Sequence, residues 1–260
     1  MLCSLDGAVM PAAEASVSVL DEGLLRGDGV FEVARVYAGV PYAMQEHLER
    51  MSRSAAGLRL DLSPDLFAAD VTGILDAAEP GFEGYLRLVA TRGGRRIVLL
   101  EPAKEVAPTI ALQTVRYSPT RILDTIKSLS YAANMLVTRL AQEDGADEAL
   151  LVTPHGRVLE GSRQSFVCSL DGETLVTPPL SDHILDSITR RRVVETGLVT
   201  ERSISADELP FATEAFLAST MREVHPVHAI DGVRLAAAPG PLTAAVADRV
   251  REVIAAAVGT

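Results

Sequence analysis

The chain has 260 residues, 48% of them hydrophobic, and a formal net charge of -11, which is enough chain to bury a core as one large or two modest domains. That charge argues against a nucleic-acid-binding surface, and no apolar run approaches the length of a membrane-spanning helix. Cys3 and Cys168 give neither a disulfide framework nor a metal-ligand spacing, and the first residues lack a basic segment followed by an apolar one, so the expectation is a cytoplasmic protein.

In chain order, residues 15–20 alternate in strand fashion before a turn at Asp21, Glu22 and Gly23, and residues 30–37 form a β-rich run closed by a hairpin turn at Ala38 and Gly39. Residues 45–58 predict a helix with Leu48, Met51, Ala55 and Leu58 as its apolar stripe, and a second helix follows over 64–78. Strands over 85–90 and 97–100 flank the loop 91–96, another covers 106–117, and Ser118, Pro119 and Thr120 read as a linker. Beyond it come a helix over 133–142, strands over 148–153 and 157–159, and a hairpin of 165–170 with 174–176 around Asp171 and Gly172. A helix over 188–196, a capping box of Ser205 and Glu208, a strand over 215–218 and a closing helix over 242–258 complete the chain. Hairpins mixed with separate helices predict an α/β (α+β) fold: a small domain over 1–117, a linker over 118–121 and a larger domain over 122–260. No Gly-rich dinucleotide or phosphate loop is present. His225 and His228 have helical spacing, but Pro226 lies between them and no further ligand is evident, so no metal site is expected.

Of the 24 basic residues only two, Lys104 and Lys127, are lysines. A GC-rich genome favours arginine codons, and a lysine then persists where arginine cannot serve. Attack on a carbonyl is such a task, because a guanidinium cannot deprotonate to do it.

The surroundings of Lys127 sharpen this. The run from Lys127 to Leu150, then Val158-Leu159-Glu160-Gly161-Ser162, Thr177-Pro178-Pro179-Leu180-Ser181 and Ile184-Leu185-Asp186-Ser187-Ile188-Thr189-Arg190 resemble fold-type IV enzymes that use pyridoxal 5'-phosphate (PLP). So do Gly27-Asp28-Gly29-Val30-Phe31-Glu32 and Glu46-His47-Leu48-Glu49-Arg50, and the likeness spans about residues 15–230 in the family's order. It implies a two-domain homodimer with the cofactor lysine, Lys127, in the C-terminal domain. Lys127 would form the Schiff base and carry the proton at the substrate Cα. Glu160 would face the pyridine nitrogen and keep it protonated. Arg50, Ser187, Ile188, Thr189, Ser219 and Thr220 would hold the phosphate. Leu185 would pack on the ring, and Tyr131 would approach the phenolic oxygen, a core tyrosine being the rival reading. Ser130 and Ser187 depart from the family's usual asparagine and glycine.

The resemblance implies an amino acid and a 2-oxo acid as substrates. Arg26 stands where the family usually has an aromatic residue and Arg163 where a small one is usual, which suggests an anionic group bound in bidentate fashion. The Arg-x-His clamp of the better-known D-amino-acid aminotransferases is missing from Thr91-Arg92-Gly93-Gly94-Arg95-Arg96. Arg26 and Arg163 would replace it, with Arg96 or Arg95 assisting from a neighbouring subunit. The expectation is a D-amino-acid transaminase with 2-oxoglutarate as an acceptor. A branched-chain L-aminotransferase, with Phe31, Val33 and Met221 lining an apolar pocket, and an aminodeoxychorismate lyase stay open as alternatives.

Overall fold

The computed structural model describes residues 1–259. The chain forms two compact units: residues 1–105 with 126–131 and 257–259, and residues 106–125 with 132–256. The architecture is mixed α/β, as expected.

Unit 1 holds strands β1 (Leu2–Leu5) and β2 (Ala8–Pro11), helix α1 (Glu22–Arg26), strands β3 (Gly29–Tyr37) and β4 (Val40–Pro41), helices α2 (Met44–Gly57) and α3 (Pro64–Asp76), and strands β5 (Gly84–Thr91) and β6 (Arg96–Pro102). The six strands make one antiparallel sheet in the order β2-β1-β6-β5-β3-β4. Leu48, Met51 and Ala55 put one face of α2 into a core shared with Val30, Leu86 and Leu88. The Ser63 hydroxyl caps α3 at Leu66 N–H, and Pro64 opens the helix.

Three features of unit 1 differ from the sequence reading. Residues 15–20 form no strand, and Val19 and Leu20 are exposed. Alternation makes a strand only where a neighbour completes the ladder, and this stretch pairs with none. Asp21 and Glu22 are not a turn either: the Asp21 carboxylate accepts the Gly23 N–H at 2.7 Å and opens α1. The hairpin of β1 and β2 was not foreseen, although Asp6-Gly7, with φ of 53° and 96°, carries a recognised turn signal.

Unit 2 holds β7 (Ile110–Arg116), α4 (Ala132–Glu143), β8 (Glu148–Val152), β9 (Val158–Gly161), β10 (Ser165–Ser169), β11 (Leu175–Thr177), α5 (Ile188–Glu195), β12 (Val199–Glu201), β13 (Glu214–Ser219), β14 (Glu223–Ile230), β15 (Val233–Arg234) and α6 (Pro241–Val258). Its mixed sheet runs β12-β11-β10-β13-β14-β7-β8-β9, with β15 on β14. β7 lies parallel to both β8 and β14. Residues 110–116, placed by the sequence in the N-terminal domain, are therefore a central strand of unit 2. The reverse holds for residues 126–131: they belong to unit 1, so each of these two segments lies on the other side of the expected boundary at 118–121. His225 and His228 lie on β14, where a three-residue separation puts them on opposite faces. They bond the Ala107 carbonyl and Thr109 hydroxyl.

Candidate active site

Lys127 is held in unit 1 like a guest strand. Phe31 N–H donates to the Lys127 carbonyl at 3.1 Å, and Leu129 N–H to the Gly29 carbonyl at 2.8 Å, around a bridge between Val30 and Ser128. The Lys127 N–H donates to Ser54 Oγ on α2 at 3.1 Å. This close passage needs glycine at 29: a Cβ there would stand 2.3 Å from the Ala90 carbonyl oxygen and 2.6 Å from Leu129 Cδ1. With its backbone fixed, Lys127 places Nζ 4.3 Å from the Phe31 ring centre and 5.6 Å from that of Tyr131. The two rings meet edge-on at 5.0 Å and screen the amine from water on that side. The structure thus brings three expected site residues together.

The next residue on β3, Glu32, is fully buried. It accepts from Arg50 Nε and Nη2, both at 2.7 Å, and lies 2.8 Å from His47 Nδ1. Burial alone would raise its pKa, but the Arg50 guanidinium and the His47 bond hold it down to about 2. Burial pushes His47 below its ordinary value; Glu32 opposes that, while the charges of Arg50 and Lys127 reinforce it. A neutral His47 then donates Nδ1–H to Glu32. Arg50, expected at the phosphate, has two nitrogens committed to Glu32 and is itself buried.

In unit 2, Glu160 sits on β9, and its Oε1 accepts the Leu185 N–H at 3.1 Å, which joins two expected residues. Burial, and then the charge of Glu160, raise the pKa of Tyr117. Ser187 caps α5 by accepting the Arg190 N–H at 3.3 Å. That leaves the N–H groups of Ile188 and Thr189 ahead of the helical ladder, the place where a helix takes an anion. Ile188 and Thr189 are both buried. α5 packs against β13, whose last residue is Ser219. Thr220 and Met221 form the turn into β14.

The expected substrate arginines fall in three settings. Arg26 pairs with Glu22 one helical turn away at 2.6 Å and is largely exposed. Arg96 pairs with the buried Asp70, and Arg95 with Asp6, so both charges have partners in unit 1. Arg163, on the turn between β9 and β10, reaches the buried Glu148 at 3.1 Å while its own side chain stays 41% exposed. The sequence reading gave no role to Glu32, His47 or Glu148. Glu32 and Glu148 are charged groups in or beside an apolar run, and that is the signal that could have found them; His47 stands among polar neighbours and gives no such signal.

The donor set of each unit suits a phosphorylated aldehyde: an amine beside aromatic rings in one, and in the other a fixed carboxylate and a helix N-terminus. The amino-transferase class IV family model matches residues 29–230. The chain is 34% identical over 254 residues to a putative branched-chain-amino-acid aminotransferase of Methanocaldococcus jannaschii, covering 88% of this chain and 87% of the relative. It is 33% identical over 263 residues to a D-alanine aminotransferase of Bacillus licheniformis, covering 92% of each. Among solved structures, a hypothetical aminotransferase of Mycobacterium tuberculosis in its PLP-bound form superposes with a TM-score of 0.87 at 27% identity, over 98% of this chain and 99% of that one.

Proposed function

We propose that this chain, which belongs to the amino-transferase class IV family and is thus a PLP-dependent aminotransferase, takes its amine from a D-amino acid and passes it to a 2-oxo acid such as 2-oxoglutarate. PLP supplies the electron sink that lets the substrate Cα lose a proton. Lys127 would hold the cofactor and carry that proton. Glu160, fixed by Leu185 N–H, would keep the pyridine nitrogen protonated. Leu185 and Tyr131 would be the residues that pack on the ring and meet its phenolic oxygen. Arg50, the first N–H groups of α5, the Thr189 hydroxyl, Ser187, Ser219 and Thr220 receive the phosphate.

The observation that carries the D-amino-acid reading is Arg163. It is a half-exposed guanidinium three residues after Glu160, anchored from below by a buried carboxylate, and it suits a substrate α-carboxylate. Arg26 and Arg96, the latter paired with Asp70, are the further candidates for a substrate anion, and Phe31 and Met221 are the candidates for the substrate side chain. A branched-chain L-amino acid is the second reading, favoured by the Methanocaldococcus jannaschii relative. We also propose a homodimer: Val19, Leu20, Leu24 and Leu25 form an exposed apolar stretch that a second copy would cover. The free buried thiols of Cys3 and Cys168 suit the cytoplasm.

The test mixes the yellow, PLP-loaded protein with D-alanine, L-alanine or L-leucine and follows the cofactor absorbance. Bleaching by D-alanine alone supports the proposal. Bleaching by the L-amino acids alone replaces it with the branched-chain reading; no bleaching by any of the three, with pyruvate released from aminodeoxychorismate in the absence of an amino acceptor, replaces it with lyase chemistry.

A further inference from the structure

Glu148, the first residue of β8, is a buried carboxylate on which five donors converge. Its Oε1 lies 2.7 Å from Thr138 Oγ1 of α4, 2.8 Å from Ser162 Oγ and 3.0 Å from the Ala149 N–H. Its Oε2 takes Arg163 Nη2 at 3.1 Å and Gln164 Nε2 at 3.2 Å. Three of these partners, Ser162, Arg163 and Gln164, are consecutive residues of the turn that follows Glu160 and Gly161. The same turn is tied three more ways. Asn134 Nδ2 donates to the Ser162 carbonyl at 2.6 Å, Arg163 N–H donates to Gln164 Oε1 at 3.1 Å, and Gly161 N–H donates to the Gln164 carbonyl at 2.7 Å. A Cβ at 161 would stand 2.9 Å from Gln164 Oε1 and 3.3 Å from the Gln164 carbonyl oxygen, so it would push the Gln164 amide out of place.

A guanidinium whose task is to neutralise a buried carboxylate is buried with it, as Arg50 is with Glu32, at 6% and 0% side-chain exposure. Arg163 behaves otherwise. Glu148 is 3% exposed and Arg163 41%, so the arginine lowers one nitrogen to the carboxylate and leaves the rest of its planar fork outside. The neutral donors already satisfy most of Glu148, which burial would raise in pKa but Thr138, Ala149 N–H, Ser162 and the charge of Arg163 together lower. The carboxylate therefore stays ionised and orients the fork.

We infer that Glu148 is a positioning residue for substrate recognition. From beneath the turn it fixes Arg163, so that the outer edge of the guanidinium is presented to the α-carboxylate of an amino acid or 2-oxo acid. The inference rests on the reading of Arg163 as a substrate group. Ordering the fork in advance saves entropy when substrate binds, so its effect belongs in binding more than in the proton-transfer rate.

The experiment uses the PLP-loaded protein and the variants Glu148→Gln, Arg163→Ser, Arg163→Lys and the Glu148→Gln/Arg163→Ser double. Three quantities are read: the Kd of unreactive D-lactate by calorimetry, the apparent Kd and limiting rate of the single-turnover reaction with D-alanine, and the cofactor absorbance. Glu148→Gln removes the charge and turns an NH2 group, itself a donor, toward either the two donors on Oε2 or the three on Oε1. It is expected to weaken D-lactate and D-alanine by about tenfold, with the limiting rate and absorbance close to those of the unaltered protein. Arg163→Ser is expected to weaken both by about tenfold or more, with the double variant no worse than Arg163→Ser. Arg163→Lys keeps the charge but loses the fork, and should recover little. Arg163 is half-exposed, so its variants test the fork even where Glu148→Gln fails to fold; full recovery by lysine would overturn the fork argument by itself. Factors that multiply in the double variant, or a Glu148→Gln defect confined to rate or absorbance, would overturn the positioning role while Arg163 stands. Unchanged ligand affinity in Arg163→Ser, or no conversion of D-alanine by the unaltered enzyme, would instead overturn the functional reading beneath it.

Discussion

Glu32 in unit 1 and Glu148 in unit 2 are both buried carboxylates, and the two units keep them charged in opposite ways. In unit 1, Glu32 is met by Arg50 and His47, and all three groups are out of water. In unit 2, Glu148 is met mostly by hydroxyl and amide donors, with one arginine that reaches in from outside. A closed ion pair sets a rigid local frame, because removing either partner strands a charge in a low-dielectric interior. A carboxylate solvated by neutral dipoles can lose its arginine and still be satisfied, so that arginine is available for a ligand. The first arrangement lies beside the strand that carries Lys127, the proposed cofactor lysine. The second lies under the turn after Glu160 and suits recognition.

The comparison can be broken at several points, the most severe first. Lys127→Ala removes the one group that neither network can replace. It is expected to abolish turnover and the covalent hold on the cofactor, checked by assay and by the loss of the bound cofactor's visible band on gel filtration. Residual turnover would place the chemistry elsewhere. Arg50→Met leaves Glu32 buried with only His47 opposite. It should destabilise the protein by about 3–5 kcal/mol, read as a shift in the urea midpoint of the apo protein, where cofactor loss cannot contribute.

Acid should act on the closed network in the same sense. The folded-state pKa of Glu32, about 2, lies below its ordinary value of 4.5, so its contribution is complete above about pH 4.5 and is lost as pH falls toward 2. The difference corresponds to about 3 kcal/mol. His47 is also depressed: the unfolded chain gains a proton below its ordinary value while the folded one resists it, so stability starts to decline as pH drops through about 6.5. Urea midpoints measured against pH should therefore fall in two stages on acidification. Glu32→Gln should flatten the lower stage; an unaltered slope would mean that the network carries no net stabilisation.

Much of the frame was legible because its signals are local. The stripe of Leu48, Met51 and Ala55, the Ser63-Pro64 helix start and the Asp171-Gly172 turn depend only on near neighbours. Residues 15–20 misled because their alternation has no partner strand, a fact the segment cannot contain. The split of residues 106–131 was hidden for the same reason. β7 goes to unit 2 through pairing with β8 and β14, while Lys127 goes to unit 1 through pairing with β3, nearly a hundred residues away. At the site, Lys127 stood out by its rarity and Glu160 by its motif. Glu32 and Glu148 gained a meaning only when their distant partners appeared.

The smallest expected effect is the most discriminating. Arg163→Ser removes a partner from a buried carboxylate, just as Arg50→Met does. If burial of the carboxylate alone set the cost, the two variants would be equally damaging. The difference lies in what remains. Glu32 would keep a single hydrogen-bond partner, His47. Glu148 keeps Thr138, Ser162, Gln164 and the Ala149 N–H, and the lost guanidinium is 41% exposed, where solvent already screens its charge. Arg163→Ser should therefore cost no more than about 1 kcal/mol in urea unfolding, well below Arg50→Met. A cost equal to that of Arg50→Met would make Arg163 a second internal neutraliser, and the contrast between an arginine closed into a buried ion pair and one left half outside would collapse.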